Sequence, residues 1–231
     1  MKRMKRYLLF FAIIFIVCQG IKAQEFHYGI IAGPTFNRMT LDTEYHINLD
    51  EERNPLYLGF KIGIFGENKF KMLGVQYELS YDQLGSRMQW DEEIFNTPIM
   101  QTKEFFFQRI SLDLLGKIYI LNDYLSIDFG VEPTYIISAT KDEDITIDNR
   151  SDKNKTTLKK GNDYSPFNIA VGGGICTYIS QNITLSLRYM LELTNTLQKE
   201  TISITDTGIV NNTIKTLSKN RTFYIMLGWR F

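Results

Sequence analysis

The chain is poor in the residues that most often carry chemistry. Its 231 residues include two histidines and two cysteines. His27 stands at the start of a strand signal and His46 in a polar link, so they do not converge. A metal centre or a Ser-His-Asp relay needs convergent groups, and two separated histidines supply neither. Charge of one sign is also missing: 26 basic residues balance 26 acidic ones. Five of the basic residues fall within residues 1–23, which hold no acid, leaving 21 basic against 26 acidic beyond them, a net of −5. That excludes a nucleic-acid binder, whose phosphate contacts need a basic surface. Beyond residue 23 no apolar run is long enough for a membrane helix. No window shows a 3.6-residue period either.

What is present begins with "MKRMKRYLLFFAIIFIVCQGIKAQ". Lys2, Arg3, Lys5 and Arg6 precede an apolar run from Tyr7 to Val17, and a more polar stretch ends at Ala23. This is the three-part plan of a secretory signal peptide. Residues 1–23 are expected to be the signal and 24–231 a single exported domain, with cleavage after Ala23. Cys18 offers a lipid-anchored alternative, but Val17 before it is not the small residue such sites need. After cleavage Cys176 is the sole cysteine, so no internal disulfide holds the exported chain.

Eight strand signals follow, at 26–37, 56–66, 72–82, 107–120, 124–138, 165–179, 183–194 and 221–231. Most are longer than strands of soluble sheets. The links between them hold 18, 5, 24, 3, 26, 3 and 26 residues, long and short in strict alternation. In a meander, alternate links lie at opposite ends. The pattern predicts an all-β, eight-stranded antiparallel up-and-down transmembrane β-barrel with short periplasmic turns and long extracellular loops. Two long links contain alternation of their own. Hairpins are expected around Asp206-Thr207-Gly208 and around Ser151-Asp152-Lys153-Asn154.

Alternation alone does not say which face is inside. One face holds Lys61, Glu78, Asp82, Arg109, Asp113, Lys117, Asp128, Glu132, Arg188, Glu192 and Arg230. The other carries residues such as Ile62, Ile64, Leu79, Leu112, Leu114, Ile127, Val131, Leu185 and Leu187. Tyr81, Tyr135, Trp229 and Phe231 sit nearer strand ends, as aromatic girdles do. A narrow bore can hold the charged set as ion pairs, while unpaired buried charges would be very costly. The bore is therefore expected to be a polar network with no apolar core. A turn at Leu121-Asn122-Asp123 sets Lys117 opposite Asp128 and Asp113 near Glu132. The acidic pair then needs a cation, with Arg109 a candidate. Pairing across Gln181 sets Gly174 opposite Arg188.

The chain ends Trp229-Arg230-Phe231, an aromatic-x-aromatic ending with Tyr224 upstream. This matches the terminal signal of bacterial barrels in part, with Met226 where glycine is usual. It makes the barrel assembly machinery an expected partner, through the strand ending at Phe231.

The segments "YGIIAGPTFN", "LGFKIGIFGE", "LGVQYELSYDQLG", "FQRISLDLLGKIYI", "YLSIDFGVEPTYIISA" and "FNIAVGGGICTYISQNITLSLRYMLELTN" resemble the PorT-like outer-membrane beta-barrel family common in Bacteroidetes. The resemblance spans the strands rather than the long loops. It implies an outer-membrane location and a possible secretion-system or surface-protein partner, since the family's founder is implicated in secretion. It brings no catalytic residues.

Three other motifs resolve to plain structural readings. "VGGGIC" at 171–176 sits inside a strand, whereas phosphate loops precede a helix. Its glycines make room for bore side chains, and Cys176 is a small filler. "DEDITIDNRSD" lacks the spacing of a calcium loop. Glu78/Asp82 and Asp113/Glu132 imitate a hydrolase pair but read better as salt bridges. No catalytic, cofactor or metal residue is assigned, and the partners expected are lipid and protein. Two alternatives stand: a soluble lipocalin-like binder, and a membrane-embedded lipid or peptide hydrolase leaning on His46.

Overall fold

The computed structural model describes residues 25–43, 55–94, 97–121, 124–147, 150–197, 200–205, 209–214 and 216–231. Every regular element among them is a strand. In chain order they are β1 (Glu25–Thr43), β2 (Tyr57–Phe70), β3 (Leu73–Ile94), β4 (Thr97–Ile120), β5 (Leu125–Ile147) and β6 (Arg150–Thr157). There follow β7 (Phe167–Tyr178), β8 (Ile183–Glu192), β9 (Glu200–Thr205), β10 (Ile209–Ile214) and β11 (Thr216–Arg230). The proposed signal peptide with Cys18, and His46 in the first long link, lie outside the described residues.

Eight of these strands form a closed ring in the order β4-β3-β2-β1-β11-β8-β7-β5, and β5 pairs back onto β4. Each pairing is antiparallel. The seam joins the two ends of the chain, with Ile30 opposite Trp229 and the Phe231 N–H donating to the Tyr28 carbonyl at 2.9 Å. Closure leaves no ring strand with an open edge, which a bilayer requires because lipid offers backbone groups no partner.

Three strands, β3, β4 and β5, run about ten residues further than the alternation predicts. β3 and β4 continue through the link expected at 83–106, with Ser86 opposite Phe105 and Ile94 opposite Thr97. β5 runs on to Ile147 and β6 returns beside it, Ile147 opposite Arg150. Ser151–Asn154, where a hairpin is expected to turn, instead lie on β6, paired with β5. These ribbons have left the bilayer, so their sequence carries no one-sided apolar alternation to announce them. β9 and β10 pair as expected, Ile209 opposite Thr205. All the extensions lie at one end. The other end carries the two-residue turn at 71–72 and the short links 121–124 and 179–182. That asymmetry sets the tight turns in the periplasm and the ribbons outside the cell.

The charged face points inward. All eleven charged residues assigned to it are buried, Lys61 at 2 % exposure and Asp82 at 0 % among them. The apolar face is turned out, with Ile64 60 % and Leu79 52 % exposed. An apolar belt around a whole molecule has no counterpart on soluble monomers and suits lipid. Aromatic pairs mark its two borders. Phe26, Tyr28 and Phe231 cluster at the tight-turn end, with Tyr28 and Phe231 5.8 Å apart. Phe60–Tyr81 and Phe36–Phe223 cluster at the other, 5.9 and 6.4 Å apart. This outward belt argues against the lipocalin-like alternative, whose apolar side chains line the interior.

Candidate functional site

The bore is the place where titratable side chains converge, and strand pairing decides how. Near the periplasmic end, β4 and β5 set Lys117 opposite Asp128, as the tight turn predicts. Lys117 lies 3.4 Å from both Asp128 and Glu67 and donates to Gln76 at 2.6 Å. Arg230 reaches the same Glu67 at 2.5 Å from the last strand. The sequence argument missed Glu67, because it placed residues 67–71 in a turn rather than on β2.

In the middle of the bore, Arg188 of β8 grips Glu78 of β3 through two contacts of 2.7 and 2.8 Å. It also lies 3.6 Å from Asp113. Gly174 stands opposite Arg188, as expected, and a Cβ there would lie 2.9 Å from Arg188 Cγ. The glycine leaves room for the base of the Arg188 side chain. Asp113 and Glu132 do share a cation, but the one that touches both is Lys61 from β2, at 2.7 and 3.3 Å. Arg109 instead joins Asp82, at 2.6 Å, to Glu132, at 3.1 Å. The Tyr224 hydroxyl donates to Glu132 at 3.0 Å and accepts from Arg109 at 3.2 Å. Both candidate carboxylate pairs are therefore held by lysine and arginine.

Above the ions lies a hydrogen-bonded layer centred on Glu192. Glu192 accepts from Thr196 at 2.6 Å and from the Asn220 side chain at 2.7 Å, and Asn220 accepts from Asn37 at 3.0 Å. Higher still, the structure corrects the expectation of a bore without apolar packing. Met39, Phe105, Phe107, Ile136, Ala139, Tyr164 and Leu197 form a buried cluster at the outer mouth. Two further apolar groups sit lower, one around Tyr224 and Met226 and one of Tyr119, Cys176 and Tyr178. Phe105 and Phe107 share the parity of Arg109, so their direction was readable. Tyr164 and Leu197 come from the links that fold over the mouth, and no period marks them. A bulge helps build this plug: Arg109 pairs with Ile136 and Gln108 with Ser138, leaving Ile137 unmatched and outward. Ile136 and Ala139 both turn inward as a result.

His27 contributes little here. His27 lies at the periplasmic rim, 3.5 Å from Glu25. Among the described residues no three His, Cys, Asp or Glu side chains converge as a metal site. The "VGGGIC" segment lies within β7, with Cys176 packed beside Tyr119 and Tyr178.

Solved structures similar to this chain include Ail, the attachment invasion locus protein of Yersinia pestis, crystallised with the heparin analogue sucrose octasulfate. It is 14% identical, the match covering 90% of this chain and 100% of that one, with a TM-score of 0.40. Neisserial surface protein A is 8% identical, covering 88% and 97%, at 0.43. The outer membrane protease OmpT of Escherichia coli is 7% identical, covering 91% and 97%, at 0.34. A search of curated proteins finds no match. The family model described as outer membrane protein beta-barrel domain matches residues 22–198. With the closed ring, the outward apolar belt and most of its length covered by that model, this chain belongs to the outer membrane protein beta-barrel domain family.

Proposed function

We propose that this protein is a non-catalytic, non-conducting barrel of the PorT-like branch, exported by residues 1–23 and working through what it presents at the two membrane surfaces. The observation that carries this is the filled bore. Lys61, Arg109 and Arg188 reach across to acids on other strands, and the apolar cluster around Phe105 and Phe107 lies over them. An eight-stranded ring encloses only about enough room for its own side chains. The carboxylates that a hydrolase would aim at substrate are engaged by cations inside the wall.

On this reading the roles left are structural, adhesive or secretion-associated. The strand ending at Phe231 engages the barrel assembly machinery on the way in, and the ribbons of β3–β4 and β5–β6 meet a secretion-system or surface protein afterwards. Single-channel recording in planar bilayers tests the central point. Purified protein is expected to insert without steady conductance. Stable, ohmic open steps would overturn a filled bore.

A further inference from the structure

Below the ion network the bore opens into a vestibule of about 730 Å³ at the periplasmic end. Its wall includes Tyr119, Tyr124 and Tyr178, and cations from two strands, Lys69 and Arg230, join them. The volume lies within the range of about 300–1,000 Å³ typical of small-molecule sites.

The floor is a pair of aromatic faces, each with a cation on it. The Tyr119 and Tyr178 rings lie 6.0 Å apart. Arg230 stacks 4.2 Å from the Tyr178 ring centre, and the Lys69 ammonium lies 5.2 Å from that of Tyr119. Arg230 is not used up by its salt bridge. One terminal nitrogen holds Glu67, but its Nε–H is buried and has no hydrogen-bond partner among the described residues. Glu67, meanwhile, also has Lys117 at 3.4 Å and accepts from the Tyr178 hydroxyl at 3.3 Å. The guanidinium carries five N–H groups in a fixed fork, so one contact with Glu67 leaves it with donors to spare. Lys69 is held at the rim by Glu25, 3.4 Å away, whose side chain is 54 % exposed. That carboxylate can be displaced from the ammonium by another anion.

We propose that this vestibule binds a small aromatic carboxylate or phosphate entering from the periplasm. The flat ring lies beside the tyrosines that line the vestibule, and the anionic group pairs with the Lys69 ammonium and the Arg230 guanidinium in its wall. The site is distinct from the plugged outer mouth and does not depend on whether the barrel conducts.

The test uses the whole barrel in phosphatidylcholine nanodiscs, titrated calorimetrically with indole-3-acetate and phenyl phosphate. Tryptophol, which keeps the indole but has no charge, is the control, with empty nanodiscs as background. The anions are expected to bind saturably and tryptophol much more weakly. Lys69→Gln should weaken anion binding by about tenfold or more, the scale of one charge-assisted hydrogen bond. Glu25→Gln should strengthen it, because the Glu25 carboxylate no longer competes for Lys69. Lys160→Gln, at the opposite end, should leave it unchanged. Heat-modifiable migration checks that each variant is folded. The proposal fails if the anions show no binding above empty nanodiscs or if tryptophol binds equally well. It also fails if Lys160→Gln matters as much as Lys69→Gln, or if folded Glu25→Gln shows no gain.

Discussion

Arg188 is 3 % exposed and holds Glu78 in a two-point contact, itself 1 % exposed. Removing one partner of such a pair strands a buried charge. Arg188→Met is therefore expected to lower stability by about 3–5 kcal/mol in urea titrations of the vesicle-embedded protein. The double variant Arg188→Met with Glu78→Leu should recover most of that loss; no recovery would mean the pair is not coupled as described. A residue on the other face answers to a different solvent. Leu112 stands opposite Leu79 on the outward side of β4. Leu112→Arg should cost about 2–4 kcal/mol in the same titration, the penalty of a guanidinium near the bilayer centre. A neutral result would place the residue away from lipid. Much at this scale was readable in advance. The two-residue period fixed the direction of the eleven charged residues assigned to the bore, though not of Glu67, and the tight turn after Ile120 fixed the Lys117–Asp128 pair. The partner of Asp113 and Glu132 was not readable, because Lys61 arrives from a strand that meets them only across the closed ring.

Among the elements, β3, β4 and β5 are the instructive ones. Their lower halves alternate cleanly, from Val75 to Tyr81 and from Ile110 to Ile118, because one side meets lipid and the other the bore. Their upper halves extend outside the membrane, where no solvent difference imposes alternation. Sequence patterning therefore located the membrane crossings but ended β3 and β5 too early and began β4 too late. The bulge at Ile137 escaped for a related reason: one extra residue in a run of "YIISA" leaves no compositional mark. Because Met88 pairs with Lys103, the outer ribbon can be shortened there. Replacing residues 89–102 with Asn-Gly supplies a two-residue turn suited to a hairpin. The shortened protein is expected to insert and to keep its heat-modifiable migration, since the membrane register is untouched. Loss of insertion would show that the ribbon is part of the folding unit.

At the scale of the whole molecule, an ordinary globular protein has been turned inside out. Ion pairs fill the centre, apolar side chains face outward, and small apolar groups cap the bore above and below. Ring closure makes this possible, because β1 and β11 meet and no strand of the ring keeps an open edge. Spin-label accessibility tests it most directly. Single cysteines would be placed at Leu79, Leu112 and Leu187, and at their chain neighbours Ser80, Ser111 and Ser186, with Cys18 and Cys176 replaced by alanine. In lipid vesicles the first three labels are expected to collide freely with dissolved oxygen and poorly with a water-soluble nickel chelate, while the neighbours are immobile and shielded from both. High oxygen accessibility at Ser80, Ser111 and Ser186, with Leu79, Leu112 and Leu187 shielded, would contradict the account.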